Sequence, residues 1–184
     1  MTSNLTVASI GDIPWPYYLA PLGGIAALIV AKFFGASVMK RSEGDDEMIR
    51  IAQAVRDGAM AYLIRQYKVV AGVFVGLLVF LAILTAMGLQ PWQSLIGVPI
   101  AGFLSGLCGW FGMRMATNAS ARTAAAAKES LNEGLTVAFR SGAVMGLNVV
   151  GFAILDASAW FLILNALDLE IQNLTTIMLS FGMG

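Results

Sequence analysis

The stretch that decides the fold is "SLNEGLTVAFRSGAVMG", Ser130 to Gly146, which joins two kinds of helix in one segment. Its first half places Ser130 and Glu133 at the S-x-x-E spacing of a capping box, which is typical of a helix that begins in water. Its second half, after Arg140, is apolar and leads into a run long enough to cross a bilayer. Because no turn sequence separates the halves, we expect one helix that starts outside the membrane and enters it near Arg140.

The composition agrees with a membrane protein. The chain has 184 residues, of which 58% are hydrophobic and 12% are charged, whereas soluble domains carry about 25% charged residues. The net charge is zero, so no nucleic-acid partner is expected. Cys108 is the single cysteine and histidine is absent, which excludes an internal disulfide and removes the commonest metal ligand.

Four apolar runs are long enough to span a bilayer, and a fifth begins near residue 171 with 14 residues remaining. We therefore predict an all-α, polytopic transmembrane helical bundle with four full spans and the start of a fifth. Residues 1–184 would form a single membrane domain. Since the last run ends without a polar anchor, we expect the chain to be the N-terminal part of a longer protein. The predicted spans are about 17–39, 69–89, 92–113 and 141–167.

The basic residues predict the orientation. Ten of the eleven lysines and arginines fall in the connections 40–68 and 114–140, and the other is Lys32. Because cytoplasmic loops are enriched in Lys and Arg, both connections should lie in the cytoplasm and the N-terminus should be extracytoplasmic. Aromatic residues suited to an interfacial belt lie near the span ends: Trp15, Tyr17, Tyr18, Trp92 and Trp160.

The first connection is also predicted to be helical. Ser42, Asp45 and Asp46 precede an amphipathic stretch, which is the pattern of a helix start. This helix should continue into the second span, with or without a kink at Gly58. About 20 additional residues would extend it roughly 30 Å beyond the bilayer.

Two charged residues interrupt the predicted spans. Lys32 lies about 10 Å from the inner end of its span, so its side chain can extend to the interface. Asp156 lies about 24 Å beyond Arg140 and should face the bundle interior or a wet cavity. It would act either in an ion pathway or as a structural hydrogen-bond acceptor. A direct Lys32–Asp156 pair is not expected, and Asn148 is interpreted as an interhelical hydrogen-bonding residue.

Small residues indicate tight helix packing. Gly102 and Gly106 form a G-x-x-x-G pair, and Ser105 and Gly109 repeat that spacing. The fourth span adds Gly142, Gly146 and Gly151.

No catalytic, cofactor-binding or metal-ligating residue is predicted in this segment. "RTAAAAKES", residues 122–130, lacks the glycines of a phosphate-binding loop. Asp45, Asp46 and Glu47 are interpreted as acids of a helix start rather than as Mg²⁺ ligands.

Three stretches resemble membrane-bound ion-translocating inorganic pyrophosphatases, and the resemblance covers most of residues 17–184. "GMRMATNASARTAAAAKESLNEGLTVAFRSGAVMGLNVVG", 112–151, is similar to that family's third and fourth spans with their connecting loop. "MIRIAQAVRDGAMAYLIRQYKVV", 48–70, is similar to the helix leading into its second span. The final "FGMG", 181–184, resembles the start of its fifth span.

The resemblance implies a homodimeric pump in which an outer ring of helices, including those of this chain, surrounds an inner catalytic ring. It implies hydrolysis of Mg²⁺-bound pyrophosphate at the cytoplasmic face, coupled to movement of H⁺ or Na⁺ out of the cytoplasm, with K⁺ as a possible further cofactor. The Mg²⁺ ligands would lie beyond residue 184. The membrane would be a bacterial-type plasma membrane or an acidic organelle membrane. Arg114, Arg122 and Arg140 would either add positive potential near the anionic substrate or serve topology alone.

Two other functions stay open at this point. One is a non-enzymatic multi-span protein, such as a transporter subunit or scaffold, and the sequence encoded after codon 184 would distinguish it from a pump. The other is a small helical channel that uses Asp156, which an Asp156→Asn substitution without effect on ion flux would exclude.

Overall fold

The computed structural model describes residues 15–167 and 177–179, and the described part of the chain is helical with no strand. A short 3₁₀ turn at Trp15–Tyr18 leads into the first of four long helices. All four are long and apolar enough to cross a membrane, which confirms the predicted all-α, multi-span bundle. The helices are α1 (Leu19–Met39), α2 (Asp46–Ala86), α3 (Ser94–Glu129) and α4 (Leu131–Ala166).

Three of the helices extend well beyond a bilayer. α2 has 41 residues and is therefore about 60 Å long, about twice the thickness of the hydrocarbon core. It continues without interruption through Gly58 into its apolar half, as predicted. α4 likewise begins at Leu131 and continues into the membrane segment. α3 likewise continues beyond the predicted span 92–113 and ends at Glu129.

The N-terminal caps of α2 and α4 follow from the sequence. Asp45 accepts a hydrogen bond from the Met48 N–H at 3.0 Å. Acids also occupy the first turn of α2, where their negative charge interacts favourably with the helix dipole and stabilises the helix. Ser130 accepts a hydrogen bond from the Glu133 N–H at 3.2 Å. Residues 131–146 therefore belong to one helix, which Ser130 caps.

Only half of the predicted capping box forms. The Ser130 N–H donates to the Ala126 carbonyl at 3.1 Å, at the end of α3, so it is not available to Glu133. The Glu133 carboxylate lies 2.7 Å from the Arg41 guanidinium instead. A single non-helical residue, Ser130, thus connects α3 to α4.

At the other end of the bundle, α2 stops at Ala86, three residues before the predicted end of its span. Gly88 has φ +73°, a left-handed conformation that glycine adopts at little cost. α3 then begins at Ser94.

The helices lie in the spatial order α2, α3, α4, α1. α4 packs along both α3 and α1, whereas α2 packs against α3 alone among the described helices. The connection 40–45 and the neighbouring ends of α2, α3 and α4 meet at one end, here called the basic end. The opposite end, here called the aromatic end, carries Trp15, Tyr17, Tyr18 and Trp92. The core between the helices contains Val38, Met115, Ala119, Ala126, Val137 and Val144.

Some of the predicted glycines mediate close packing and others do not. A Cβ on Gly102 would lie 2.4 Å from the Phe74 ring of α2, and one on Gly112 would lie 2.8 Å from Met145 of α4. A Cβ on Gly106, Gly142 or Gly146 would meet nothing within 4 Å. Of the G-x-x-x-G pair, Gly102 therefore permits close packing of a side chain from α2, whereas Gly106 has open space beside it.

The predicted fifth span lies largely outside the described residues. Residues 177–179 are helical, and Ile177 is buried against Leu164 at the end of α4. Trp160 and Met178 pack beside this pair.

Candidate functional site

Arg122 is the most enclosed charged side chain of the basic end. It lies on α3 and is only 8% exposed. Its Nη2 lies 2.9 Å from Glu43, its Nε donates to the Arg41 carbonyl at 3.1 Å, and its Nη1 donates to the Asn118 carbonyl at 2.5 Å. Each nitrogen of the guanidinium therefore has a partner, and the charge is neutralised inside the protein.

Glu43 lies between two arginines and joins α2 to α3. Its two carboxylate oxygens lie 3.0 and 3.1 Å from Arg56 on α2, while Arg122 approaches from α3. Arg56 also donates to the Asn118 side chain at 3.4 Å. The Arg56 hydrogen bonds, with the charge of Arg122, hold the pKa of Glu43 below its usual range.

Two further ion pairs attach the α1–α2 connection to the rest of the bundle. Lys128 on α3 lies 2.9 Å from Asp45, and Arg41 lies 2.7 Å from Glu133 on α4. The Met48 N–H and then Lys128 lower the pKa of Asp45. With the Glu43 contacts, these pairs form what we call the ion-pair layer, which consists of Arg41, Glu43, Asp45, Arg56, Arg122, Lys128 and Glu133.

The three arginines expected to create positive potential have different surroundings. Arg122 is enclosed and neutralised, so it does not present its charge to a soluble anion. Arg140 donates to the Ser37 hydroxyl on α1 at 2.6 Å. Arg114 is exposed, and its side chain has no ion pair or hydrogen bond within the described part of the chain. Of the three, Arg114 is therefore the one whose side chain has no partner among the described residues, whereas Arg140 bonds to a neutral hydroxyl and keeps its charge.

The acids of the ion-pair layer do not fit a magnesium site. Each of Glu43, Asp45 and Glu133 is paired with lysine or arginine, which would compete with a divalent cation. In residues 15–167 and 177–179, no three side chains of the metal-ligating types gather closely enough to hold a metal ion.

Asp156 faces a cavity of about 340 Å³ between α3 and α4, in agreement with the prediction that it would point into the bundle. Ser105 and Cys108 of α3 line the same cavity, and the Asp156 carboxylate is hydrogen-bonded to the Trp160 side chain one turn later. Lys32 is exposed and does not pair with Asp156. The Asn148 carbonyl oxygen lies 3.9 Å from the Cys108 thiol, so this residue contacts α3 through its backbone.

The comparison with known proteins identifies the family. A family model described as inorganic H⁺ pyrophosphatase matches residues 25–184, which include most of α1 and all of α2, α3 and α4. The chain belongs to the inorganic H⁺ pyrophosphatase family. This match covers the whole ion-pair layer and the cavity at Asp156.

Curated relatives in this family are named as ion pumps of two kinds. A Bacteroides thetaiotaomicron protein, provisionally named a K⁺-stimulated pyrophosphate-energized sodium pump, is 50% identical over 91% of this chain and 24% of its own length. A Moorella thermoacetica protein named K⁺-insensitive pyrophosphate-energized proton pump 2 is 44% identical over 78% of this chain and 20% of its own length. A Methanosarcina mazei protein named K⁺-insensitive pyrophosphate-energized proton pump is 36% identical over 84% of this chain and 22% of its own length. The chain thus spans about a quarter or less of these relatives.

The ion-pair layer itself was not predicted. The sequence suggested for Arg122 a role in positive potential or in topology, and it gave Glu43 no role. The pattern that points to it is the four-residue spacing of Asn118 and Arg122, which places both on one helix face. Glu43 beside Gly44, whose φ of +96° turns the chain, supplies the acid that this face meets.

Proposed function

We propose that this chain forms the N-terminal, outer-ring helices of a homodimeric pump. The complete pump would hydrolyse Mg²⁺-bound pyrophosphate at the cytoplasmic face and move H⁺ or Na⁺ out of the cytoplasm. The observation that carries the proposal is the family match over residues 25–184. The pump names of the relatives at 50% and 44% identity support it.

The proposal assigns catalysis to the part of the pump beyond this chain. The acids of the ion-pair layer are paired with Arg41, Arg56, Arg122 and Lys128, an arrangement that suits a rigid support better than a metal-phosphate site. Mg²⁺ and pyrophosphate would therefore bind elsewhere, and K⁺ dependence would also be set there. The role of these four helices would be to hold the neighbouring catalytic helices in place.

We further propose that the basic end faces the cytoplasm and that the N-terminus is extracytoplasmic. Ten of the eleven basic residues lie in the two connections, which supports this orientation. The geometry is compatible with it, because both connections meet in the ion-pair layer at the same end of the bundle. The membrane would be a bacterial-type plasma membrane or an acidic organelle membrane.

The proposal is tested with sealed membrane vesicles that contain the protein expressed from its complete gene. Pyrophosphate hydrolysis is measured with and without Mg²⁺ and K⁺, while a pH-sensitive dye and radioactive sodium report which ion moves. We expect Mg²⁺-dependent hydrolysis coupled to transport of one of the two ions. Vesicles that hydrolyse no pyrophosphate above the empty-vector level would contradict the pump. Hydrolysis by residues 1–184 alone would contradict the assignment of catalysis to the rest of the protein.

A further inference from the structure

An apolar groove of about 790 Å³ runs beside the contact between α2 and α3 within the membrane segment. Its walls include Tyr67 and Phe74 of α2 and Phe103 and Trp110 of α3. Gly106 lies in the groove without a side chain, and its carbonyl accepts a hydrogen bond from the Tyr67 hydroxyl. Since a Cβ on Gly106 would meet nothing within 4 Å, the space beside this contact is open. We call this space the α2–α3 groove.

Two cations without partners lie beside the half of this groove that is nearer the basic end. Lys68 follows Tyr67 on α2, and Arg114 lies one helical turn beyond Trp110 on α3. Both are exposed, and neither side chain has an ion pair or hydrogen bond with any residue that the structure describes. The cations of the ion-pair layer, in contrast, are all paired.

The spacing of the two cations suits one shared anionic group. The Tyr67–Gly106 hydrogen bond sets the register of α2 against α3, so that Lys68 lies level with the segment near Gly106. Arg114 is eight residues farther along α3, about 12 Å closer to the basic end. The Lys68 stem can extend along apolar surface toward the basic end, where Arg114 already lies, so both heads can reach an anion held between them.

We propose that the α2–α3 groove binds an anionic phospholipid, with one acyl chain along the groove and the headgroup phosphate between Lys68 and Arg114. An apolar slot of membrane depth with two open cations near one end matches an amphiphile with an anionic head. A helix of another polypeptide would have to bring carboxylates into the membrane to satisfy the same cations, which is costly. This inference goes beyond the proposed function and does not depend on pyrophosphate hydrolysis.

The test uses the protein expressed from its complete gene, stripped of lipid in a mild detergent. Native mass spectrometry follows the binding of phosphatidylglycerol and of phosphatidylcholine with the same acyl chains. We expect preferential binding of phosphatidylglycerol, weakened about fivefold by Lys68→Gln or Arg114→Gln and further by the double substitution. Arg65→Gln is the matched control, because Arg65 is an exposed cation on α2 that points about 160° away from Tyr67 around the helix. It should leave binding unchanged.

A second variant tests the acyl-chain half of the proposal. Gly106→Leu places a side chain in the open space of the groove and should abolish the preferential phosphatidylglycerol site while leaving the thermal unfolding temperature near the wild-type value. The proposal is overturned if the double charge variant binds phosphatidylglycerol like the wild type, or if Arg65→Gln weakens binding equally. It is also overturned if Gly106→Leu has no effect, if glycerol phosphate displaces the lipid, or if the stripped protein binds no phosphatidylglycerol because another segment fills the groove.

Discussion

Gly24 of α1 and Gly151 of α4 meet backbone to backbone, so that a Cβ on either glycine would lie 3.1 Å from the carbonyl oxygen of the other. This contact brings the backbones of α1 and α4 together five residues before Asp156 on α4. Side chains close the gap on both sides: a Cβ on Gly24 would lie 2.9 Å from Leu155, and one on Gly151 would lie 2.8 Å from Leu28. Both positions therefore have no room for a larger residue unless the helices separate.

The first prediction tests this crossing with two neighbouring glycines. Gly24→Ala should destabilise the protein by about 1 to 3 kcal/mol, because the added methyl group overpacks the contact with α4. Gly23→Ala is the matched control, since a Cβ there meets nothing within 4 Å and alanine favours a helix. Thermal unfolding of the purified protein in detergent measures both. Equal unfolding temperatures for the two variants would contradict the described crossing.

The second prediction concerns the shared carboxylate of the ion-pair layer. Glu43→Gln leaves Arg56 and the enclosed Arg122 without their counter-charge, which should cost roughly 3 kcal/mol of stability. Glu47→Gln is the control, because its pair with Arg50 is fully exposed to solvent and should contribute little to stability. Unfolding temperatures and the rate of proteolysis in the connection 40–45 report the difference. Similar losses in both variants would show that Glu43 does not hold this connection in place.

The third prediction is a pH dependence of the same ion pairs. The folded state lowers the pKa of Glu43 below its ordinary value of 4.5, chiefly through Arg56. A lowered pKa means that the stabilisation is fully present above pH 4.5 and is lost as the pH falls through the folded-state pKa. The stability difference between the wild type and Glu43→Gln should therefore be constant near neutral pH and shrink below pH 4.5.

Asp45 and Glu47 also have lowered pKa values, so the wild-type profile alone mixes three groups. The comparison with Glu43→Gln isolates one of them. A difference that stays constant far below pH 4.5 would mean that the Glu43 charge contributes nothing to folding.

The fourth prediction tests the proposed orientation with single cysteines. In a Cys108→Ala background, Lys40→Cys lies at the basic end and Leu89→Cys lies in the turn at the opposite end. A membrane-impermeant maleimide added to intact cells should label Leu89→Cys, whereas Lys40→Cys should react only after the membrane is opened. The reverse labelling pattern would invert the topology and contradict a cytoplasmic ion-pair layer.

Local chemistry in the sequence was sufficient for the helix starts. Ser130 caps α4 as predicted, and Asp45, one of the three residues predicted to mark the start of α2, caps that helix, because each cap depends on residues within one turn. The reciprocal bond of Glu133 failed for a tertiary reason, since Arg41 comes from a distant part of the chain and attracts the carboxylate. The predicted span 92–113 was bounded by hydropathy alone, and α3 continues past it because the polar turns that follow remain helical.

The candidate site was less accessible to sequence reasoning. The burial of Arg122 depends on where the connection 40–45 folds back over α3, and no spacing within α3 specifies that. In the same way, the G-x-x-x-G spacing does not distinguish Gly102 from Gly106. The structure does, because Gly102 contacts Phe74 whereas Gly106 borders an open groove. Which glycine packs is decided by the neighbouring helix.

Ser130 has a mechanical consequence. With one non-helical residue between two 36-residue helices, and Gly134 packed against Ala127 beside it, α3 and α4 are hinged so tightly that neither can slide past the other. A vertical displacement of one must carry its neighbour along. If neighbouring helices shift during function, this antiparallel pair would therefore move as one rigid unit.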